Sequence, residues 1–411
     1  MTVPTAVDLD RADPLAAHRD LFVGTDTPLV YLDGNSLGRP LRVTGERLRA
    51  FVEEEWAGRL IRGWDERWMD LPEVLGDAIG AQCLGASTGQ TIVGDSTTVL
   101  LYKLMRAAVA LQASDPGRTE IVMDRDNFPT DRYVAEGIAA ERGLSMRWIE
   151  VDTDAGVTAE QLSNVVGEQT ALVALSHVAY RSAWIADGAE LTRIAHEAGA
   201  LMLWDLSHSV GSVLVELDAW DADFAVGCTY KYLNGGPGAP AFAYVAERLL
   251  DDPTELVQPI QGWLGAADPF LMGPVYRPAE GIRRILSGTP PVIGMLALQD
   301  MLQLVSKVGI GAIREKSVGL TSFALKRAAE VLPEVGLASP PDPERRGGHV
   351  TLTHPVMERA TAELWARDVI PDYRDPHGLR LGLSPLSTSY DEVERGLQSI
   401  RQVLDSLAAR G

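Results

Sequence analysis

The chain has 411 residues, of which 46% are hydrophobic and 23% charged, and its formal net charge is −20. This length and composition argue against a disordered chain and predict a large buried core with room for two domains. The excess of negative charge disfavours binding to nucleic acid or to an anionic membrane, so a small-molecule partner is expected.

The N-terminus and the cysteines predict a cytoplasmic protein. Residues 1–20 are interrupted by aspartates and lack the cationic flank and apolar run of a signal peptide. No apolar stretch approaches the ~20 residues that span a bilayer, so no membrane partner is expected. Cys83 and Cys228 form neither a disulfide framework nor a metal-ligand pair at a recognisable spacing, which suits a reducing compartment.

The order of helical and strand patterns in the first 250 residues predicts an α/β fold. Amphipathic periodicity indicates helices over 99–111 and 190–196. The strand-like runs are 119–123, 170–176, 200–204, 224–227 and 239–245. We therefore expect a mostly parallel central sheet, with an antiparallel strand after residue 238.

The pattern changes beyond residue 290. Long amphipathic stretches cover 292–308 and 313–331, and a short strand pattern at 349–353 precedes a terminal helix that begins at residue 391. The proline-rich stretch 340–343 is typical of a connecting loop. We predict a large domain over 55–300 and a small domain made of 1–54 together with 301–411.

Two predicted strands are followed by side chains that could take part in catalysis. The apolar run 200–204 ends in Asp205, and Lys231 follows the run 224–227. Ligands bind open α/β sheets at the carboxyl ends of strands. A partly desolvated lysine amine can attack an aldehyde, and an aspartate can keep a pyridine nitrogen protonated, so the pair suits pyridoxal 5'-phosphate (PLP). A salt bridge, or two solvated side chains, is the alternative.

Two further segments suit the same cofactor. Residues 94–98 gather hydroxyl and backbone N–H groups at a helix start, which is favourable for a phosphate, although a simple helix cap needs only one of these hydroxyls. Phe128, in the loop segment 126–131, offers an aromatic face that could stack on a flat heterocycle. The alternative for Phe128 is an ordinary core residue.

Six motifs together resemble the kynureninase family, and the resemblance extends from about residue 28 to residue 385. The motifs are YLDGNSLG (31–38), NFPTD (127–131), SHVAYRS (176–182), WDLSH (204–208), TYKYLNGGPG (229–238) and GWLG (262–265). The resemblance implies the aminotransferase-like PLP fold type I, with a mostly parallel sheet in a large PLP-binding domain and a smaller α+β domain.

The resemblance also implies roles for individual residues at the cofactor. Lys231 matches the Schiff-base lysine, Asp205 the partner of the pyridine nitrogen, and Phe128 the aromatic that stacks on the ring. The other implied cofactor contacts are Thr97, Thr98, Asp131, Ser176, His208 and Tyr230, together with Trp263 and Thr289 from the second subunit of an obligate homodimer.

The family reaction is the hydrolysis of L-kynurenine to anthranilate and L-alanine by cleavage between Cβ and Cγ. Arg380 matches the arginine that clamps the α-carboxylate of the substrate, a task suited to its planar fork of donors. Lys231 would remove the Cα proton and Tyr230 would relay a proton. The other implied substrate contacts are Ser36, Trp64 and Gly288.

Substrate choice stays open at this stage. Trp64 and the pair Gly288 and Thr289 resemble the bacterial pattern, which is associated with kynurenine rather than 3-hydroxykynurenine. Ala179 and the pair Ala183–Trp184 depart from the family wording, which has Asn and Gly at 179 and 183. A 3-hydroxy or methylated kynurenine in a specialised biosynthetic pathway is therefore the alternative substrate, through an altered wall of the site.

Two other classes of function fit less well. A cysteine desulfuration would need a reactive cysteine on a mobile loop, whereas Cys228 lies at a strand end and Cys83 in a helical context. A non-catalytic homologue would be expected to lose Lys231, Asp205 or Arg380. No catalytic metal is expected, because four histidines at scattered positions outside the motifs are predicted to be structural or exposed: His196, His349, His354 and His377. Trp56 and Trp68 are predicted core residues.

Overall fold

The computed structural model describes residues 4–251 and 256–410. Its strands are β1 (Val30–Tyr31), β2 (Thr91–Gly94), β3 (Glu120–Asp124), β4 (Ser145–Ile149), β5 (Thr170–Ser176), β6 (Leu201–Asp205), β7 (Phe224–Cys228), β8 (Ala241–Val245), β9 (Gly336–Leu337), β10 (His349–Thr353), β11 (Val369–Ile370), β12 (Asp372–Arg374) and β13 (Gly378–Gly382).

Helices cover both faces of the main sheet and pack against the smaller one. The α-helices are α1 (Ala6–Ala12), α2 (Arg42–Ala50), α3 (Ala57–Arg59), α4 (Leu71–Ile79), α5 (Thr97–Gln112), α6 (Pro129–Arg142), α7 (Ala159–Ser163), α8 (Gly188–Glu197), α9 (Val292–Val308), α10 (Ile310–Val331), α11 (Met357–Trp365) and α12 (Tyr390–Ala408). Short 3-10 and π-helical turns, such as Trp64–Trp68 and Trp263–Gly265, connect several of them.

The main sheet has seven strands in the order β2–β8–β7–β6–β5–β3–β4. The five strands from β4 to β7 are parallel to one another, whereas β8 is antiparallel to both of its neighbours. Side chains of β5 alternate between two apolar layers: Val173 and Leu175 face the cluster that includes α8 and α9, and Leu172 and Ala174 face the cluster that includes α5. Burial on both faces explains why this strand has a continuous apolar sequence.

A second apolar cluster lies around a four-stranded antiparallel sheet in the order β12–β13–β10–β9. Helices α10, α11 and α12 contribute buried residues to this cluster. The N-terminal strand β1 pairs in parallel with β11, which brings residues 30–31 beside the C-terminal part of the chain. Residues 15–51 also contribute to the cluster of the main sheet, through Phe22 and Phe51. The domain boundaries at 55 and 300 stay a prediction.

The predicted elements agree closely with the observed ones, and the mixed parallel and antiparallel sheet is confirmed. In the main sheet, strands β2 and β4 have no counterpart in the prediction, and outside it the same holds for β1, β9, β11, β12 and β13. β2 is only four residues long, and β4 is an edge strand that is half exposed, so each has a weak hydrophobic pattern. Trp68 is buried as predicted, but the prediction for Trp56 is wrong, because half of its surface is exposed.

No single helix in the described part of the chain is long and apolar enough to cross a membrane. Helices α9 and α10 combine sufficient length with apolar composition only as a pair, and they meet at a bend of 90°.

Ala183 adopts a left-handed backbone conformation with φ 65° and is fully buried. Its N–H donates to the Ala179 carbonyl at 2.9 Å, and its carbonyl accepts from the Gly347 N–H at 2.7 Å, so both partners hold the peptide in place. An L-residue with a Cβ pays ~1–2 kcal/mol for this conformation, which glycine adopts without that cost.

We therefore expect Ala183→Gly to raise the free energy of unfolding by ~0.5 kcal/mol. This is a net value, because the relief of backbone strain is partly offset by the larger backbone entropy that glycine loses on folding. Urea unfolding followed by circular dichroism measures the change. Ala186→Gly is the matched control, because Ala186 is also buried but is not left-handed, and this variant should be destabilised. Equal losses for the two variants would contradict strain at Ala183.

Candidate functional site

The parallel strands β5, β6 and β7 end at one edge of the main sheet and deliver polar side chains there. Ser176 and Asp205 are paired in register at the ends of β5 and β6, and Lys231 lies three residues after β7. A cavity of about 230 Å³ opens at this edge. It is lined by Ser96, Thr97, Thr98, Phe128, Thr130, Asp131, Asp205, Ser207, His208, Tyr230 and Lys231.

The Lys231 amine is held by a histidine. Its Nζ lies 3.0 Å from Nε2 of the buried His208, so the amine donates and the unprotonated ring nitrogen accepts. Burial, followed by the charge of Lys231, lowers the pKa of His208 well below its usual value. A neutral imidazole therefore accompanies the amine at neutral pH.

Two carboxyl groups share one proton at the base of the cavity. Asp131 is fully buried and is hydrogen-bonded to Asp205. Burial and the negative charge of Asp205 raise the pKa of Asp131 well above its usual value, so the protonated Asp131 donates to Asp205. The Ser207 N–H also donates to Asp205 Oδ1, at 2.8 Å.

The start of helix α5 faces the same cavity without a side-chain cap. Ser96 precedes the helix in an extended conformation, and its hydroxyl does not accept the hydrogen bond that a capping serine makes. The hydroxyls of Ser96, Thr97 and Thr98 and the first N–H groups of the helix are thus available to an anion. The alternative prediction, that one of these hydroxyls caps the helix, is wrong, because Ser96 makes no side-chain cap hydrogen bond.

Buried Lys103 stabilises this helix start from behind. Its Nζ donates to Asp95 Oδ2 at 2.5 Å and to the Ile285 carbonyl at 2.9 Å. Asp95 has a left-handed φ of 44°, which turns the chain into α5. Lys103 therefore holds the loop before the helix and is not itself a wall of the cavity.

Phe128 presents an aromatic face to the cavity and is 39% exposed. Its ring packs edge-on against Tyr180, with centroids 5.5 Å apart and an interplanar angle of 84°. Its N–H donates to Asn127 Oδ1 at 2.7 Å, and the same oxygen accepts from Ser176 Oγ at 3.1 Å. The side chain is therefore positioned from both sides and is not an ordinary core residue.

These groups together fit PLP. The uncapped helix start suits a phosphate, the Phe128 face suits a flat ring, the Asp131 and Asp205 pair suits a ring nitrogen, and the Lys231 amine suits an aldehyde. Among the described residues there is no group of three or more His, Cys, Asp or Glu side chains that could hold a metal ion.

Arg380 lies in β13 and is 1% exposed. Its Nη2 donates to Ser36 Oγ at 2.8 Å and to Asp372 Oδ2 at 2.5 Å, and its Nη1 donates to the Tyr180 carbonyl at 2.7 Å. Three partners from three segments thus orient the guanidinium plane. Sequence reasoning did not find Asp372, which also pairs with Arg374 at 3.0 Å.

Asp33 is a further carboxyl group beside this arginine. Burial, and then the charge of Asp372, raise the pKa of Asp33 to about 6, against the opposing effects of Ser36 and Arg380. Asp33 therefore changes its charge close to neutral pH in the folded protein.

The remaining predicted site residues lie elsewhere in the single chain. Trp64 and Thr289 line a separate apolar cavity of about 300 Å³, and Trp263 packs edge-on against Trp64 with centroids 6.3 Å apart. Gly288 precedes Thr289 at this surface. None of these four is among the residues lining the Lys231 cavity in the described chain.

The family departures also lie outside the Lys231 cavity. Ala179 and Trp184 line a neighbouring small cavity of about 20 Å³. The indole of Trp184 packs over Gly156, where an added Cβ would come within 2.3 Å of the ring. The bulk of Trp184 is therefore taken up by the loop around residue 156.

His349, expected to be structural or exposed, lies beside the site. It begins β10, is fully buried, and its ring centroid is 5.5 Å from that of His208. No motif marks this histidine in the sequence, and only the pairing of β10 with the Arg380 strand brings it here. His196, in contrast, is a structural residue that binds Asp223 at 2.8 Å.

Comparisons with known proteins identify relatives of this chain. Residues 313–400 match the family model described as the kynureninase C-terminal domain. Kynureninase of Pseudomonas fluorescens is 39% identical over 404 residues, which are 97% of this chain and 94% of that protein. Kynureninase of Burkholderia pseudomallei (strain 1106a) is 39% identical over 411 residues, with 98% and 96% coverage.

Solved structures of more distant proteins share the fold. A C-DES variant with glycine covalently linked to its PLP cofactor superimposes with a TM-score of 0.80 at 20% identity, over 93% of this chain and 98% of that chain. A cysteine desulfurase from Thermococcus onnurineus NA1 has a TM-score of 0.76 at 20% identity, with 98% and 99% coverage. The predicted aminotransferase-like PLP fold is thus confirmed.

Asp33 should make stability depend on pH. Because its folded-state pKa of about 6 exceeds the ordinary 3.8, the folded protein binds this proton more tightly than the unfolded chain. The stabilising contribution is complete below about pH 4 and is lost as the pH rises through 6. Asp33→Asn removes this contribution. When the pH falls from 7.5 to 5, the free energy of unfolding of the wild type should therefore rise by ~1–2 kcal/mol relative to that of the variant.

Urea unfolding at pH 7.5, 6 and 5 measures this difference. Asp154→Asn, at an exposed position, removes the same formal charge and gives the background pH dependence. A wild-type gain over Asp33→Asn that does not exceed this background would contradict the raised pKa.

Proposed function

The chain belongs to the kynureninase family, and we propose that it hydrolyses L-kynurenine to anthranilate and L-alanine with PLP as cofactor. The observation that carries this proposal is the arrangement of Lys231, the Asp131 and Asp205 pair and the uncapped start of α5 around one cavity, with Arg380 oriented beside it. The identity to curated kynureninases over nearly the whole chain supports it independently.

Each part of PLP has a counterpart in the cavity. PLP, when bound, supplies an electron-accepting pyridine ring. Asp205 would pair with the ring nitrogen, and the proton of Asp131 keeps a second negative charge away from it. Thr97 and Thr98 would bind the phosphate, Phe128 would stack on the ring, and the other proposed cofactor contacts are Ser176, His208, Trp263 and Thr289.

The amino acid would be held by its carboxylate. Asp372, Ser36 and the Tyr180 carbonyl fix the guanidinium plane of Arg380. A planar carboxylate would bind the second N–H of Nη1 and would replace the Ser36 hydroxyl at Nη2. Ser36 would lie at the same carboxylate, and Trp64 and Gly288 would contact the aryl end.

Two side chains would move protons. The Lys231 amine, once free, would take the Cα proton, and His208 Nε2 at 3.0 Å is placed to orient that amine. Burial, and then the nearby Cys228, raise the pKa of Tyr230, so its phenol keeps its proton at neutral pH and can donate it. Tyr230 Oη would therefore serve as a proton donor to the alanine carbon. The reaction consumes one water and breaks the Cβ–Cγ bond.

Unsubstituted kynurenine is the proposed substrate. The alternative of a ring-substituted kynurenine was based on Ala179 and Trp184, and both line the neighbouring cavity beside Gly156. No observation therefore favours the substituted substrate.

We further propose a homodimer in which Trp263 and Thr289 complete the site of the partner. Supporting this, the surface near Trp64 and Thr289 exposes large apolar side chains: Trp56, Leu60, Ile61, Phe270, Met272 and Val275. A cytoplasmic location is proposed from the two buried free cysteines. The net charge of −20 is unfavourable for nucleic acid or anionic membrane partners.

We expect Lys231 to bind the cofactor covalently and Arg380 to bind the substrate. Borohydride reduction followed by peptide mass spectrometry should find the phosphopyridoxyl group on Lys231, and Lys231→Ala should abolish both adduct and activity. Arg380→Lys should keep the adduct but lower kcat/KM for kynurenine roughly 10- to 100-fold, because a single point charge replaces the guanidinium fork.

The exposed Arg367→Lys is the matched control and should leave kcat/KM unchanged. An adduct on any other lysine would overturn the site. A hundredfold higher kcat/KM for 3-hydroxykynurenine or a methylated kynurenine would overturn the substrate.

Mixed dimers test whether the sites are shared. A dimer of one Lys231→Ala chain and one Trp263→Ala chain should recover about half of the wild-type activity, since one site then has both an intact lysine and an intact partner tryptophan. Two tags allow the mixed species to be purified and assayed.

The control is a chain carrying both substitutions paired with a wild-type chain. This dimer should be nearly inactive if Trp263 acts in the partner's site. The opposite result, an active control and an inactive complementing pair, would place Trp263 in the site of its own chain.

A further inference from the structure

His349 connects the substrate-binding strand with the proposed lysine site. It begins β10 and is paired in register with Gly382 of β13, while Arg380 is paired with Thr351. Residues two apart on a strand share a face, so His349 and Arg380 are diagonal neighbours on one face of the small sheet. This face is turned towards the end of the main sheet, where His208 lies.

The ring of His349 contacts the ring of His208 and not Lys231 directly. The two centroids are 5.5 Å apart and the planes are inclined by 58°. His208 in turn holds the Lys231 amine through Nε2 at 3.0 Å. A continuous series of contacts therefore leads from β10 through His349 and His208 to Lys231.

The protonation states of the two rings follow from this contact. Because Nε2 of His208 accepts from the amine, the proton of the neutral ring is on Nδ1. Nδ1 is buried and has no hydrogen-bond partner among the described protein atoms, whereas the neighbouring ring of His349 lies beside the Arg181 backbone carbonyl. A buried N–H without a hydrogen-bond partner costs free energy, and the imidazole of His349 is a polar group that packs against the ring of His208, although no hydrogen bond joins the two rings.

The charges around His349 keep it neutral. Burial lowers its pKa well below the usual value, and the positive charges of Arg380, Lys231 and Arg374 act in the same direction, whereas the Arg181 carbonyl opposes them. Burial also lowers the pKa of His208, and the nearby groups that add to this effect are Lys231, Arg380, His349 and Arg374. Neither ring would become charged near neutral pH, so a proton-activated switch is not the role.

We propose that His349 is a positioning residue, which fixes the ring of His208 so that Nε2 accepts from the Lys231 amine. This inference builds on the proposed function of Lys231 but not on the identity of the substrate. Without a polar group at 349, the ring of His208 can turn its buried Nδ1–H towards another acceptor. The Lys231 amine then loses its hydrogen bond to Nε2.

The test measures the reactivity of Lys231 in the full-length, cofactor-free protein. Reductive methylation at a series of pH values, quantified by peptide mass spectrometry, gives the pH at which half of Lys231 is labelled. An amine that loses its hydrogen-bond acceptor gives up its proton more easily, so His349→Phe should lower this midpoint by about half a pH unit to one unit. His349→Gln keeps donor and acceptor groups and should retain the wild-type midpoint.

Three controls separate positioning from a general packing defect. His208→Phe should lower the midpoint as well, and the double variant should equal His208→Phe, because both changes remove the same contact. His377→Phe, at an exposed position, should have no effect. If His349→Phe does not fold, as judged by circular dichroism, His349→Met is the apolar substitute, since its flexible side chain adapts to the same space.

The PLP-loaded enzyme gives a second measurement. His349→Phe should lower kcat for kynurenine roughly tenfold, with KM changed less than about twofold, since Arg380 still binds the substrate. A midpoint equal to wild type in His349→Phe, or shifts of the two single variants that simply add, would overturn the inference. Absence of kynurenine hydrolysis in the wild type would overturn the proposed function, yet it would leave the labelling result unaffected.

Discussion

The parallel pairing of β5, β6 and β7 is the constraint on which the site depends. These strands are apolar on both faces, so their polar residues can only follow the last buried position. Parallel pairing places all three of these ends at one edge of the sheet. Ser176 and Asp205 are therefore neighbours by register, and Lys231 reaches the same place after a short extension. A shift in register by one residue would turn the Asp205 side chain into an apolar layer.

Burial at this edge would be unfavourable if each ionisable group were charged. The protein lowers the number of charges instead: Asp131 keeps its proton against Asp205, and His208 and His349 are neutral. Asp205 and Lys231 are the other acid and amine beside the cavity. Because the neighbouring groups are neutral, they do not compete with this acid and this amine. A cofactor with a ring nitrogen and an aldehyde requires one group of each kind.

Local patterns in the sequence predict the central sheet and part of the cavity, whereas Asp131, His208 and Tyr230 are expected from the family resemblance alone. Continuous apolar runs identify the buried strands, and the polar residues that follow Leu201–Asp205 and Phe224–Cys228 identify the edge where they end. Strands β2 and β4 are missed because one is short and the other is half exposed. His349 and Asp372 are missed for a different reason: their positions depend on the pairing of β10, β12 and β13, which no local pattern encodes.

The same pairing brings two parts of the chain to one proposed site. Asp372 and Arg380 are paired across β12 and β13, and His349 lies diagonally opposite on β10, so one small antiparallel sheet carries the arginine, its orienting carboxylate and the ring that contacts His208. The main sheet carries His208 and Lys231. Because packed elements shift as units and not atom by atom, a displacement of the small sheet would alter both the grip of Arg380 and the orientation of His208. The contact between His349 and His208 thus links the strand of the proposed carboxylate-binding arginine to the proposed lysine site.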